Sequence, residues 1–197
     1  MTTGTRDIDA AIELMQKAWT TRRETMTSPP DSKEQLQQIM DEVYEMLVDA
    51  VAICRDVGAH RELVHALRKL GHVEQEIGRD DATRALYEEA VTVSRTCGDP
   101  LLLAHSVRHV GDYHGHMGRT EAAEGCYHEA LVLYRDHEHP PTLDFANAVR
   151  PMAILKEDAG KIEEAKELWQ EARDLYAEIN VQEGVDECSH HLARLGA

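Results

Sequence analysis

Apolar residues recur every three or four positions through most of the chain, and no stretch alternates apolar with polar residues as a half-buried strand would. Ile8, Ala11, Ile12, Met15, Ala18 and Trp19 form one stripe. That stripe predicts a first helix over about residues 6–26, stopped by Ser28-Pro29-Pro30-Asp31. Ser32 followed by Gln35 has the form of a capping box. It opens a long helix whose stripe runs Leu36, Ile39, Met40, Val43, Leu47, Ala50, Val51 and Cys54 and ends before Gly58. Further breakers stand at Gly78, Gly98-Asp99-Pro100, Gly118, His139-Pro140-Pro141 and Gly160. Asp99 is placed as an N-cap with Pro100 at the first helical position.

The breakers recur at a fixed distance. Leu67-Arg68-Lys69-Leu70-Gly71 falls on Val107-Arg108-His109-Val110-Gly111 with a shift of 40, and on Val149-Arg150-Pro151-Met152-Ala153 with a further 42. The same shifts superpose Tyr87, Tyr127 and Trp169, and then Ala90, Ala130 and Ala172. Three helix pairs are therefore expected at residues 59–98, 99–140 and 141–182. A degenerate pair precedes them at residues 1–58, and a lone capping helix follows within residues 183–197, all in one continuous domain.

On these residues the chain resembles the tetratricopeptide repeat family, in the long-period variety of kinesin light chain and bacterial regulators. The family's Leu-Gly pair is matched by Leu70-Gly71 and Val110-Gly111, and by Met152-Ala153 with alanine as the small residue. Its second-helix pattern is matched by Ala123, Tyr127, Ala130 and by Ala165, Trp169, Ala172, whereas Thr83 replaces the small residue in the first repeat. The resemblance implies an all-α superhelix, an α-solenoid of antiparallel helix pairs, with the first helix of each pair lining a concave groove. It further implies a scaffold that binds a protein or peptide and is not an enzyme.

The groove-facing positions would be His65, Arg68, Lys69, His72 and Glu76 in one repeat, His105, Arg108, His109, Asp112 and His116 in the next, and Asn147, Arg150, Ile154 and Asp158 in the third. Arg68, Arg108 and Arg150 share one repeat position, with His190 at the matching place in the last helix. A ladder of planar guanidinium groups suits recognition of carboxylates, so an acidic peptide is the expected ligand. The competing reading pairs each arginine with a neighbouring Asp or Glu.

Charge adds to this picture. Lys and Arg number 21 against 37 Asp and Glu, a formal net charge of −16, which excludes general binding to nucleic acid or to an anionic membrane. The acidic residues of the repeats sit mainly on the second helices, which predicts a locally basic groove in an acidic protein. Only 5% of residues are aromatic, with a single Phe, which favours helices over a sheet core. Cys54, Cys97, Cys126 and Cys188 show no zinc or disulfide spacing, and no window reaches the length of a membrane span, so a cytoplasmic protein is expected.

Other motifs are weaker. His105, His109 and Asp112 share a helix face and form the alternative metal-ligand set. Extending that set to His116 spreads it over about 16 Å, too far for one ion. No P-loop, dinucleotide fingerprint, zincin motif or nucleophile elbow occurs, so no cofactor is expected. Glu74, His114 and Lys156 share a position where the family carries Tyr, and a structural hydrogen bond between Glu74 and His114 is expected there rather than catalysis. Pro151 predicts a kink in the third repeat. The first helix either closes the stack or docks on another copy as a homodimer, and the last presents His190-His191 outward as a solubilising cap.

Overall fold

The computed structural model describes residues 3–196, and every regular element among them is an α-helix. They fall into two compact units, residues 1–98 and 99–197. The first holds α1 (Thr3–Thr27), α2 (Lys33–Val57), α3 (His60–Ile77) and α4 (Asp80–Thr96). The second holds α5 (Pro100–His116), α6 (Thr120–Arg135), α7 (Thr142–Asp158), α8 (Ile162–Glu178) and α9 (Gln182–Arg194).

Within each unit, short connections make consecutive helices antiparallel neighbours. In the first unit α1 packs on α2, α2 on α3 and α3 on α4, with α1 also touching α3. The repeated turns are left-handed at their glycines, as at Gly78 (φ 81°), where its N–H and that of Arg79 return to the carbonyls of Gln75 and Glu74. This motif satisfies carbonyls that the helix end leaves without partners. The last such turn has no glycine; Asn180 takes φ 57° instead, a conformation that asparagine tolerates better than most residues. At the start of α2 the Ser32 hydroxyl accepts from the Gln35 N–H and donates to Glu34, while Asp99 accepts from Leu101 and Leu102 above Pro100.

Small residues on first helices seat aromatic rings from second helices. The Gly71 and Tyr87 pair lies in the first unit, the Gly111 and Tyr127 pair in the second, and Gly184 takes Tyr176 the same way at the end. Ala11, Met15 and Ala18 are buried against α2 and α3, whereas Ile12 and Trp19, expected in the same stripe, are only half-buried. They border an open cleft.

In the second unit α5 packs on α6, α6 on α7, α7 on α8 and α8 on α9, and α5 also meets α7. Burial on α5 is therefore broad. Leu102, Ala104, Val107, Gly111 and Tyr113 are buried, while Leu103 and Val110 are half-buried, because two helices cover α5 rather than one. Pro151 lies inside α7, which stays helical to Asp158. Trp169, Tyr134 and Ala153 are fully enclosed.

Candidate functional site

In the first unit α1 and α3 enclose a cleft of about 380 Å³ lined by Ile12, Met15, Gln16, Trp19, Thr20, Arg61, Glu62, His65 and Lys69. The apolar wall comes from α1 and the polar rim from α3. Lys69 Nζ stands 3.9 Å from the centroid of the Trp19 ring, and Arg22 Cζ lies 4.8 Å from the same centroid. Among the described residues no carboxylate pairs with Lys69. Its pKa falls to about 8, because burial removes water and the charges of Arg68 and Arg22 oppose another cation.

His65 is pushed down to about 4 by burial and by Arg68, Lys69 and Arg61, so it is neutral at physiological pH. Arg22 is committed elsewhere, donating to Glu76 through both Nε and Nη2. Its Nη2 also lies 2.9 Å from His72 Nε2, and since a guanidinium only donates, that ring nitrogen accepts. Burial and Arg22 accordingly lower the His72 pKa. Glu74 is buried and accepts from Tyr44 at 3.1 Å and Arg79 at 3.4 Å in place of the expected His114, so its structural role lies within this unit.

The expected site residues of the second unit form an internally paired network. Arg108 is only 9% exposed; its Nη1 donates to Asp112 Oδ2 at 2.6 Å and its Nη2 lies 3.0 Å from His109 Nε2. The Tyr127 hydroxyl donates to Asp112 Oδ1 at 3.0 Å. Burial raises the Asp112 pKa even though Arg108, Tyr127 and Arg150 favour its charge, and burial together with Asp112 raises that of Tyr127. Arg150 grips Glu187 on α9 through two bonds of 2.6 Å, which holds the Glu187 carboxyl below its usual range. Asn147 Oδ1 accepts from Tyr176 at 2.8 Å. His105 stacks on His109 with centroids 5.0 Å apart and lies 3.4 Å from Asp144, while His116 is exposed.

Two arginines of the ladder thus meet carboxylates of their own chain, Arg108 one turn away on α5 and Arg150 across to α9. Among the described residues no three His, Cys, Asp or Glu side chains are placed to hold a metal ion, so His105, His109 and Asp112 do not converge as ligands. His191 departs from its expected outward position. It stacks on Trp169 with centroids 4.0 Å apart, and its Nδ1 lies 2.8 Å from Glu157, which also accepts from Trp169 and Arg194. Burial opposes the Glu157 charge, and those donors overcome it and lower the pKa.

Asp144, Glu157 and Glu187 belong to these networks and carried no motif. One signal exists for Glu157: it stands 12 residues before Trp169, as Gln75 stands 12 before Tyr87, and both pairs bond at 2.9 and 3.4 Å. The equivalent in the middle repeat is Gly115, and there Tyr127 turns to Asp112 instead.

A second cleft, about 340 Å³, is lined by residues of α6, α7 and α8. Lys156 spans it, reaching Glu124 at 2.7 Å and Glu164 at 2.9 Å, and Arg135 closes on Glu171 at 2.6 Å. The four cysteines are unpaired, and burial raises the Cys54, Cys126 and Cys188 thiols, the last to about 11, so none of these three is primed as a nucleophile.

No protein-family model and no curated protein sequence matches the chain. Solved structures do match. A putative kinesin light chain of Podosopora anserina, described as having nearly identical TPR-like repeats, aligns at 17% identity over 99% of this chain and 87% of its own, with a TM-score of 0.67. BtubC from P. vanneervenii aligns at 16% over 99% and 91%, with a TM-score of 0.55. A Rap protein complexed with competence and sporulation factor aligns at 13% over 98% of this chain and 60% of its own, with a TM-score of 0.69. At these identities the likeness establishes the fold: an all-α, TPR-like helical repeat.

Proposed function

We propose that this chain is a non-enzymatic scaffold that holds a protein or peptide segment against the first helices of its repeats. Helical repeats of this kind generally act as interaction scaffolds. The observation that carries the reading is the open cleft between α1 and α3, where an aromatic face, aliphatic side chains and a cation border one solvent-accessible recess. Concave, largely apolar recesses with a few polar groups are the usual form of a binding site.

Within the expected contact set, His65, Lys69 and the neighbouring Arg68 and His72 form the binding surface of the first unit. His105, His109, Asp112, His116 and Asn147 serve in the second, with Arg108 and Arg150 positioning them rather than meeting the ligand first. The Rap neighbour was crystallised with a factor bound, which supports the same use of the fold here. Among the described residues no helix is long and apolar enough to cross a membrane, and four unpaired thiols suit a reducing compartment, so we assign the protein to the cytoplasm.

Selection from a random-peptide display library on the full chain tests this, with Trp19→Ala as the control. Enrichment lost in the variant supports the reading; no enrichment, or enrichment indifferent to Trp19, overturns it.

A further inference from the structure

Lys69 is anomalous in this protein. Carboxylates outnumber lysines and arginines by 37 to 21, and several partly buried cations close on one: Arg22 on Glu76, Arg108 on Asp112, Arg150 on Glu187. Lys69 lies instead over the Trp19 face, partly desolvated, with Arg22 on the same ring and Arg68 beside it. A cation in that position is attracted to the ring, but the attraction offsets only part of its lost hydration. An incoming carboxylate would supply the missing counter-charge.

The cleft volume of about 380 Å³ compares with roughly 30 Å³ for a water molecule in the liquid, so more than one side chain fits. Its α1 wall sets the apolar Ile12, Met15 and Trp19 beside the uncharged Gln16 and Thr20. On the rim Arg61 joins Lys69 against the single acid Glu62, and His65 adds no charge at neutral pH.

Building on the scaffold reading, we infer that the α1 and α3 cleft is the docking site for a partner-protein segment in which an acidic side chain stands beside an aliphatic one. The carboxylate meets Lys69 Nζ at the edge of Trp19, and the aliphatic side chain covers Ile12 and Met15. Specificity for the acid rests on Lys69 rather than on an arginine ladder, because Arg108 and Arg150 already hold carboxylates of the chain itself.

The chain contains two tryptophans, so an indole ¹⁵N–¹H spectrum separates Trp19 from Trp169, which is fully buried and bonded to Glu157. The probes are acetyl-Leu-Glu-amide and acetyl-Leu-Gln-amide, which differ by one charge, titrated into the full-length wild type, Lys69→Met and Lys69→Arg. The glutamate dipeptide is expected to move the Trp19 resonance at millimolar concentration, leave Trp169 unmoved, and bind about five- to tenfold more tightly than the glutamine dipeptide, the scale of one charge-assisted contact. Lys69→Met should abolish that preference and Lys69→Arg should retain it, with far-UV circular dichroism verifying the fold of each. An unmoved Trp19 signal, equal affinity for the two dipeptides, or a preference that survives in Lys69→Met overturns the inference. Equal binding of both dipeptides leaves the cleft a binding site and removes only its charge specificity. An absence of display enrichment despite a Lys69-dependent preference removes the scaffold reading alone.

Discussion

Gly111 on α5 faces the Tyr127 ring of α6, and replacing it with alanine tests whether the close seat of the ring holds the second unit together. A Cβ there would lie 2.7 Å from Tyr127 Cε1, 2.9 Å from Cδ1 and 3.2 Å from Cys126 Cβ, distances that force the ring to move. The ring is not free to move, because its hydroxyl donates to Asp112 and its body is 3% exposed. Alanine gains up to about 1 kcal/mol of helix propensity over glycine. Against this stand about 1–3 kcal/mol of overpacking and about 1.5–3 kcal/mol if the charged hydrogen bond to Asp112 breaks. A net loss of roughly 2–4 kcal/mol is expected. Gly125 is the control: it lies inside α6 with nothing within 4 Å of its Cβ position, so Gly125→Ala should stabilise by ~0.5–1 kcal/mol. Urea unfolding followed by emission in a Trp19→Phe background reads Trp169, in the same unit. A Gly111→Ala protein as stable as its parent would refute the argument, as would destabilisation by Gly125→Ala.

Other consequences concern charge. Because folding lowers the His65 pKa to about 4, the unfolded chain binds its proton first as pH falls below 6.5, and stability is lost between pH 6.5 and 4. After allowance for its partial exposure this amounts to about 2 kcal/mol, and His65→Gln should flatten that limb of the pH–stability curve. Binding of the glutamate dipeptide should weaken several-fold from pH 7 to 9 as Lys69, which stands among Arg22, Arg61, Arg68, His65, His72, Glu62 and Glu76, deprotonates near 8, with the glutamine dipeptide unaffected. Glu187→Gln should cost about 0.5–1 kcal/mol near neutrality, since the pair is half-exposed. The lowered Glu187 pKa means that this difference is present above pH 4.5 and vanishes as acid protonates the wild-type carboxyl, which a paired urea series at pH 7 and 3 would check. Asp112→Ala, which leaves the buried Arg108 guanidinium without its carboxylate, should cost about 3 kcal/mol in the same assay.

The chain order of elements was legible in the residues alone because it depends on local rules. Helix stripes follow a 3.6-residue period, Gly78, Gly118 and Gly160 end helices in left-handed turns, and Asp99-Pro100 starts one, all without reference to distant contacts. The 40-residue period likewise marked Gly71 and Gly111 as equivalent, and Tyr87 and Tyr127 as equivalent, and packing then seats each ring on its glycine in the same way. Charge partners were a different matter. Arg150 joins Glu187 across 37 positions, His191 joins Glu157 across 34, and Arg22 joins Glu76 across 54, and none of these separations is a repeat period. An exposed arginine in sequence is equally a ligand contact or half of an internal pair, and only packing decides, because ion pairing depends on distances of 3–4 Å between flexible side chains. The same holds for Trp19 and Lys69. The sequence pattern put Trp19 in an apolar stripe and Lys69 at a groove-facing position; the approach of α1 to α3 made them the two sides of a cleft.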